Sequence, residues 1–174
     1  MKRKILILFF SSVLLISIIN LFAQPQKPVE PVNWRKLINF LIDIPGWQAK
    51  GEPKGSTVSM GNFKISQVER SYVLGEKDLE IKIIDGSYIP MVYASFKMMT
   101  SFEIDSSEEY VKKITVKGFP GVEKYEYGSE EAMIIILVKD RFLVNLTEDN
   151  VKDTSELKKI ANLLDLKKLA ELAK

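Results

Sequence analysis

Carboxylates are the side chains of this sequence that could perform acid–base chemistry, and Asp85 is the best placed of them. It closes an alternating apolar stretch and precedes Gly86, and side chains at strand ends often meet a cleft. Two carboxylates near each other could act as general acid and general base. The commoner role of an Asp-Gly pair is a turn, so a carboxylate-dependent hydrolase is an alternative hypothesis, not the leading one.

A second acidic segment extends from Glu148 to Asp153 and contains the oxygen ligands that calcium takes. Its spacing lacks the central glycine and the terminal glutamate of a calcium-binding loop. We therefore interpret it as a solvated loop that leads into a helix. The sequence predicts neither a metal nor a cofactor.

The composition excludes several classes of active site. The chain contains neither cysteine nor histidine. A cysteine nucleophile, a Ser-His-Asp triad and a zinc site with nitrogen or sulfur ligands are therefore excluded. The stretch from Gly51 to Thr57 lacks the Gly-Lys-Ser/Thr sequence of a phosphate-binding loop. These absences favour a non-catalytic domain.

Aromatic side chains could instead bind a ligand. Trp47 stands on the Pro45-Gly46 turn beside a loop, where it could anchor a partner. Tyr88 follows the Asp85-Gly86 turn. We take Trp47, Asp85 and Tyr88 as candidate ligand-binding residues. The alternative for Trp47 is a hydrophobic plug that closes the sheet edge beneath the first helix.

The first 23 residues have the pattern of an export signal. The basic residues 2–4 precede an uncharged, mainly apolar stretch from Ile5 to Phe22, and Ala23 is a small residue before a polar break. We predict cleavage after Ala23, which makes the protein periplasmic or extracellular. The alternative is an uncleaved anchor, because Leu21 is large for its position and the stretch approaches the ~20 residues that span a bilayer. The membrane is a partner only in that anchored form.

The charge of the exported chain excludes one class of partner. Removing the three basic residues of the signal changes the formal net charge from +2 to −1. A nearly neutral domain gives no reason to expect nucleic acid as a partner. We therefore predict an exported, non-catalytic domain that binds a protein partner or a small apolar ligand in the cell envelope. A tethered structural component of the envelope is a further alternative.

Beyond the signal, the sequence predicts a proline-containing leader over residues 24–32 and one domain over residues 33–174. Asn33 can cap a helix that includes Leu37 and Ile42 at helical spacing and ends at Pro45-Gly46. A strand then begins at Thr57 and continues through Phe63 and Ile65 to Leu74. Gly75 provides the turn to a second strand with apolar residues at alternate positions.

The second half of the domain is predicted to be strand-rich between two helices. The continuous apolar run from Ala132 to Val138 is typical of a central strand buried on both faces. Thr154 or Ser155 can cap a closing helix. The remaining predicted elements are a helix from Pro90 to Thr100 and strands over residues 110–117, 122–127 and 142–146.

This order of elements is typical of an α+β domain with a mainly antiparallel sheet and helices packed on it. Together with Pro45-Gly46-Trp47 and Asp85-Gly86, the order resembles the Mog1/PsbP-like sandwich found in many exported bacterial domains. The resemblance covers roughly residues 33–173. It implies a fold but assigns no functional residue, because such folds host unrelated functions.

Overall fold

The computed structural model describes residues 29–61, 63–87 and 89–173. The predicted signal peptide and residues 24–28 of the leader lie outside these described residues. The described strands are β1 (Gln48–Ala49), β2 (Lys54–Met60), β3 (Phe63–Leu74), β4 (Lys77–Asp85), β5 (Ile104–Asp105), β6 (Glu109–Val116), β7 (Phe119–Glu126), β8 (Glu131–Val138) and β9 (Phe142–Asp149).

These nine strands form one antiparallel sheet. Their spatial order is β1-β3-β4-β9-β8-β7-β6-β5, and β2 also pairs with β3, on the same side as β1. The mainly antiparallel α+β fold predicted from the sequence is therefore confirmed.

The helices of the described residues are short and pack on the sheet. They are α1 (Trp34–Leu37), which continues as a 3₁₀ turn (Ile38–Phe40), α2 (Ala94–Met99), which follows a 3₁₀ turn (Pro90–Tyr93), α3 (Ser155–Leu163) and α4 (Leu166–Ala170). None of the helices described is both long and apolar enough to cross a membrane.

Both faces of the sheet are apolar in its centre. The main core lies on the face that α1, α3 and α4 cover, and it includes Tyr72, Ile81 and Phe142. A second cluster lies on the other face beneath α2 and includes Phe96 and Leu137. Each fully buried side chain of this size contributes about 1.5–3 kcal/mol. The helices therefore hold the sheet from opposite sides.

The central position of β8 explains its continuous apolar sequence. β8 pairs with β7 on one side and β9 on the other. Ile134 and Ile136 belong to the main core, and Ile135 and Leu137 belong to the second cluster. A strand buried on both faces needs apolar residues at consecutive positions, so the prediction for this strand is confirmed.

The first helix is shorter than predicted. The Asn33 side chain caps it by accepting a 2.9 Å hydrogen bond from the Arg35 amide, as expected. However, α1 ends at Leu37, and Leu41 already has a non-helical backbone. A helix of this length gains little from its own hydrogen bonds, and Pro45 disfavours helical backbone at the preceding residue. Packing of the buried Leu41 and Ile44 therefore determines the path.

The prediction of one continuous strand from Thr57 to Leu74 is wrong. The chain reverses after Met60, which lies opposite Phe63 in the β2–β3 pairing. Gly61 has a φ of +61°, a conformation that glycine adopts without steric cost. The Gly61-Asn62 dipeptide is a hairpin signal that apolar alternation alone does not detect. The hairpin also makes β2 begin earlier, at Lys54, inside the predicted loop.

Candidate functional site

Asp85 ends β4, and its carboxylate is fully buried against the guanidinium of Arg141. Arg141 Nε lies 3.1 and 3.2 Å from the two carboxylate oxygens, and Arg141 Nη2 lies 3.0 Å from Oδ2. The backbone amides of Val32 and Ser87 donate to the same carboxylate at 2.7 and 2.8 Å. A carboxylate saturated by donors and without exposed surface has no open side for a substrate.

The Asp85–Arg141 pair fixes the end of the predicted leader to the sheet. Arg141 Nη2 donates a 3.0 Å hydrogen bond to the carbonyl of Glu30. Lys64 Nζ contacts both carboxylate oxygens of Glu30 at 2.8 and 3.0 Å. Together with the Val32 amide bond to Asp85, these contacts connect residues 30–32 to β3, to β4 and to the turn between β8 and β9.

The other two candidate residues are not assembled with Asp85 into a described site. Trp47 is half-buried and packs against the main core just before β1. This placement is compatible with the plug at the sheet edge. Tyr88 lies outside the described residues.

Among the described residues, Glu148 has a carboxyl group with a clearly raised pKa. Glu148 is fully buried, and neither of its oxygens makes a hydrogen bond within the described residues. Burial, followed by the negative charge of Glu156, raises its pKa to about 7, while Lys77 opposes the shift. Lys77 Nζ lies 3.5 Å from Glu148 Oε1 and pairs more closely with Glu156.

A perturbed carboxyl group is a candidate for acid–base catalysis only where a substrate can reach it. The Lys77–Glu156 pair lies beside Glu148, and Glu148 itself has no exposed surface. Its position therefore indicates a structural group at the margin of the main core.

The other acidic residues near α3 also make internal contacts. Glu123 is nearly buried and accepts hydrogen bonds from Thr154 Oγ1 at 2.8 Å and from Lys158 Nζ at 2.6 Å. The hydroxyl groups of Thr154 and Tyr110 lie 3.0 Å apart. This network joins the start of α3 to β6 and β7.

The predicted solvated loop from Glu148 to Asp153 does not bring calcium ligands together. Asp153 Oδ1 accepts a 2.7 Å hydrogen bond from the Ser155 amide, and the Asn150 side chain donates to the carbonyl of Glu76 at 2.7 Å. Glu148 lies inside β9. Nowhere in the described ranges do three or more acidic residues group as metal ligands.

The most exposed apolar side chains of the sheet lie on the β2–β3 hairpin. Val58 and Phe63 are 52% and 55% exposed. Val58 lies opposite Ile65 in the pairing, so these side chains share the face that carries the second cluster. We call the residues around the turn, Val58 and Phe63 with Lys64, the hairpin tip.

The hairpin also gives the sheet an unprotected edge. β2 pairs only with β3 in the described structure, so alternate amides and carbonyls of β2 point outward. No residue between Lys54 and Lys64 is charged. We call this outer side of Lys54–Ser59 the β2 edge.

The other edge of the sheet, formed by β5 and β6, is protected by charged residues. β5 covers only the start of β6, at Tyr110 and Val111. The uncovered part of β6 begins with two exposed lysines, Lys112 and Lys113. Charged edge residues prevent pairing with other strands, and the β2 edge has none after Lys54.

No family model, no curated protein and no solved structure matches this chain. The functional assignment therefore depends on the geometry of the described residues.

The candidate residues omit Glu148 and Arg141, and the sequence contains a signal for the first alone. Glu148 continues the alternation of Phe142, Val144 and Leu146, which places it on the inward face of β9. Arg141 lies in a short polar turn, Lys139-Asp140-Arg141, and nothing in the local pattern marks it as the partner of a residue 56 positions earlier. Only the antiparallel pairing of β4 with β9 brings Arg141 to Asp85.

Proposed function

We propose that this protein is an exported, non-catalytic binding domain that receives an extended segment of an envelope protein along the β2 edge. The observation that carries the proposal is an exposed edge strand without a charge between Lys54 and Lys64. Strand addition gives affinity through main-chain hydrogen bonds and specificity through alternate side chains. The N-terminal export pattern supports a partner in the periplasm or outside the cell.

Two observations support a binding role over the carboxylate-dependent hydrolase. Asp85 is saturated by Arg141 and by two backbone amides, and Glu148 has no exposed surface. A small apolar ligand is less well supported than a protein segment. The cleft beside β3, β4 and β9 is lined by charged and polar residues that include Lys50, Asp78 and Glu80, and the cleft beside α4 mixes Phe40, Ile42 and Leu172 with charged residues of α4 and its cap.

The fold itself adds an expectation of the same kind. We infer that the helix-covered antiparallel sheet belongs with the Mog1/PsbP-like sandwiches, whose order of elements it resembles. That layout serves unrelated functions. The fold by itself therefore does not assign a binding role, and the support for that role comes from the free β2 edge.

A tethered structural component of the envelope is the second candidate function. It is favoured by the contacts of Glu30 with Lys64 and of Val32 with Asp85, which would transmit an anchor directly to the sheet. N-terminal sequencing of the exported protein distinguishes the two forms. A chain that begins at Gln24 excludes the tether, whereas an intact N-terminus supports it.

Site-specific photo-crosslinking in the producing cells tests the β2 edge. A photoreactive amino acid at the exposed Ser59 is expected to give one discrete protein adduct. The same group at the exposed Thr115 of β6 is expected to give none.

Two further variants test whether the adduct forms by strand addition. With the photoreactive group at Val58, Ser59→Lys is expected to reduce the adduct at least roughly tenfold, because a charge blocks edge pairing, while Ser59→Thr keeps it. An adduct that survives Ser59→Lys, or equal labelling at both edges, would overturn the proposal.

A further inference from the structure

The N-terminal end of the described chain lies beside the hairpin tip. The Glu30 carboxylate contacts Lys64 Nζ at 2.8 Å, and Lys64 directly follows Phe63 at the start of β3. The Glu30 carbonyl and the Val32 amide are fixed by the buried Arg141 and Asp85. The point at which residues 1–28 join the domain is therefore fixed beside this turn.

Three exposed side chains at or near this turn are apolar. Val29 is 39% exposed, Val58 52% and Phe63 55%. Residues 54–66 contain two lysines, Lys54 and Lys64, and no acidic residue. Lys64 is paired with Glu30, so the exposed apolar side chains are the part of this surface that matches the boundary of a bilayer.

The length of the chain before Val29 limits where the hairpin can lie. Residues 5–22 are uncharged and mainly apolar. When they occupy a bilayer, the seven residues 23–29 that connect them to Glu30 span at most about 25 Å. The hairpin tip can then reach the membrane surface, because its turn adjoins the fixed chain at Glu30.

We propose that the hairpin tip is a lipid-contacting surface, which inserts the apolar side chains of Val58 and Phe63 at the boundary of a bilayer. The proposal goes beyond partner binding at the β2 edge and applies to the form that retains residues 1–23. In this proposal the hairpin tip contacts lipid, and the β2 edge stays free to pair with a partner strand.

A fluorescent label can test the contact cleanly because the chain has no cysteine. The full chain carrying Phe63→Cys is labelled with an environment-sensitive dye and reconstituted into vesicles of phosphatidylcholine and phosphatidylglycerol. We expect the emission of the dye to shift to the blue and to rise several-fold, compared with the same labelled protein without lipid or detergent. The same dye on Thr115→Cys, at the other edge of the sheet, is expected to report water under both conditions.

Second-site variants distinguish insertion from simple proximity. Val58→Glu is expected to abolish most of the response at position 63. Leu163→Glu, which changes an exposed apolar residue of α3, is expected to leave the response unchanged.

Three results would overturn the lipid contact. They are the absence of a response at position 63, an equal response at position 115, and a response without lipid that rises with protein concentration. The last of these would identify a second copy of the chain as the occupant. None of them affects the photo-crosslink at Ser59, so failure of this proposal and failure of the proposed function are distinguishable.

Discussion

At the scale of single residues, the most consequential interaction is the buried pair of Asp85 and Arg141. Both side chains are almost fully buried, and the carboxylate also accepts the Val32 and Ser87 amides. Removing one member of such a pair leaves an uncompensated charge in the interior. The pair therefore contributes to the fold much more than an exposed ion pair does.

Asp85→Asn is expected to lower the free energy of unfolding by about 3–5 kcal/mol, because Arg141 stays buried without its counter-charge. Urea denaturation measures the change. Asp78→Asn is the matched control, since Asp78 pairs with Lys50 at the surface with both side chains about half exposed. That change is expected to cost less than about 1 kcal/mol. Equal losses in the two variants would contradict a structural role for Asp85.

Glu148 gives the stability of the protein a specific pH dependence. Burial raises its pKa from 4.5 to about 7, so between these values the folded chain holds a proton that the unfolded chain has released. Its stabilising contribution is thus complete below pH 4.5 and is lost as the pH rises through about 7. The loss amounts to about 3 kcal/mol.

Glu148→Gln is expected to remove most of this loss, since glutamine does not ionise. The variant should therefore become more stable relative to the native chain as the pH rises from 5 to 8, in a series of urea denaturation curves over about that range. Glu103→Gln, in an exposed loop, is expected to leave the native pH profile unchanged. A profile unaltered by Glu148→Gln would show that another group is responsible.

At the scale of elements, α1 docks on the hairpin through a glycine. A Cβ added at Gly55 of β2 would lie 2.9 Å from Trp34 Cδ2 and closer still to Trp34 Cε3. The Arg35 guanidinium also lies over the Trp34 ring, 4.3 Å from its centre. The absence of a side chain at Gly55 therefore allows the helix to approach the hairpin.

Gly55→Ala is expected to destabilise the protein by about 1–3 kcal/mol through overpacking against Trp34. In the background of Trp34→Ala the same change should cost less, because the clash is gone, so the two effects are not additive. Thermal or urea denaturation of the four chains gives the coupling. Gly128→Ala meets nothing within 4 Å and serves as the control. A Gly55→Ala cost that persists without Trp34 would contradict the docking contact.

The elements that could be predicted are those whose pattern is local. Alternation of Leu79, Ile81 and Ile83 identifies β4, and Gly75 with a φ of +63° forms its turn to β3. The structure also has a helical segment that begins at Pro90, as predicted, because proline suits the first turn of a helix. The first helix could not be predicted correctly, since packing of Leu41 and Ile44 overrides helical spacing there.

The candidate site depends on contacts that no local pattern contains. Asp85 was identifiable as a strand end, but its partner Arg141 follows another strand, and the Val32 amide belongs to the leader. The β2 edge and the hairpin tip depend on the reversal at Gly61. The sequence-based prediction of one continuous strand through Gly61 therefore contains neither surface.

At the scale of the whole molecule, the two apolar clusters share their strands. β8 contributes Ile134 and Ile136 to the main core and Ile135 to the second cluster, and β9 divides Val144 and Leu143 in the same way. Loss of either cluster therefore removes the support of strands that the other requires. Domains of this size with shared packing usually unfold in one step.

We expect both faces of the sheet to unfold at the same urea concentration. The fluorescence of Trp34 and Trp47 reports the main core, against which both pack. A dye on Met98→Cys, an exposed position of α2, reports the second cluster. An earlier transition at α2 would show that the second cluster is an independent unit.

Asp85→Asn sharpens the same test, because its contacts join the leader, β4 and the β8–β9 turn. In a cooperative domain the variant lowers both midpoints equally, although Asp85 lies on the face opposite to α2. A shift seen only by the tryptophans would mean that the pair stabilises one face alone. The equal shift is expected, since β4 and β9 cannot separate at Asp85 without releasing Leu143, which the second cluster requires.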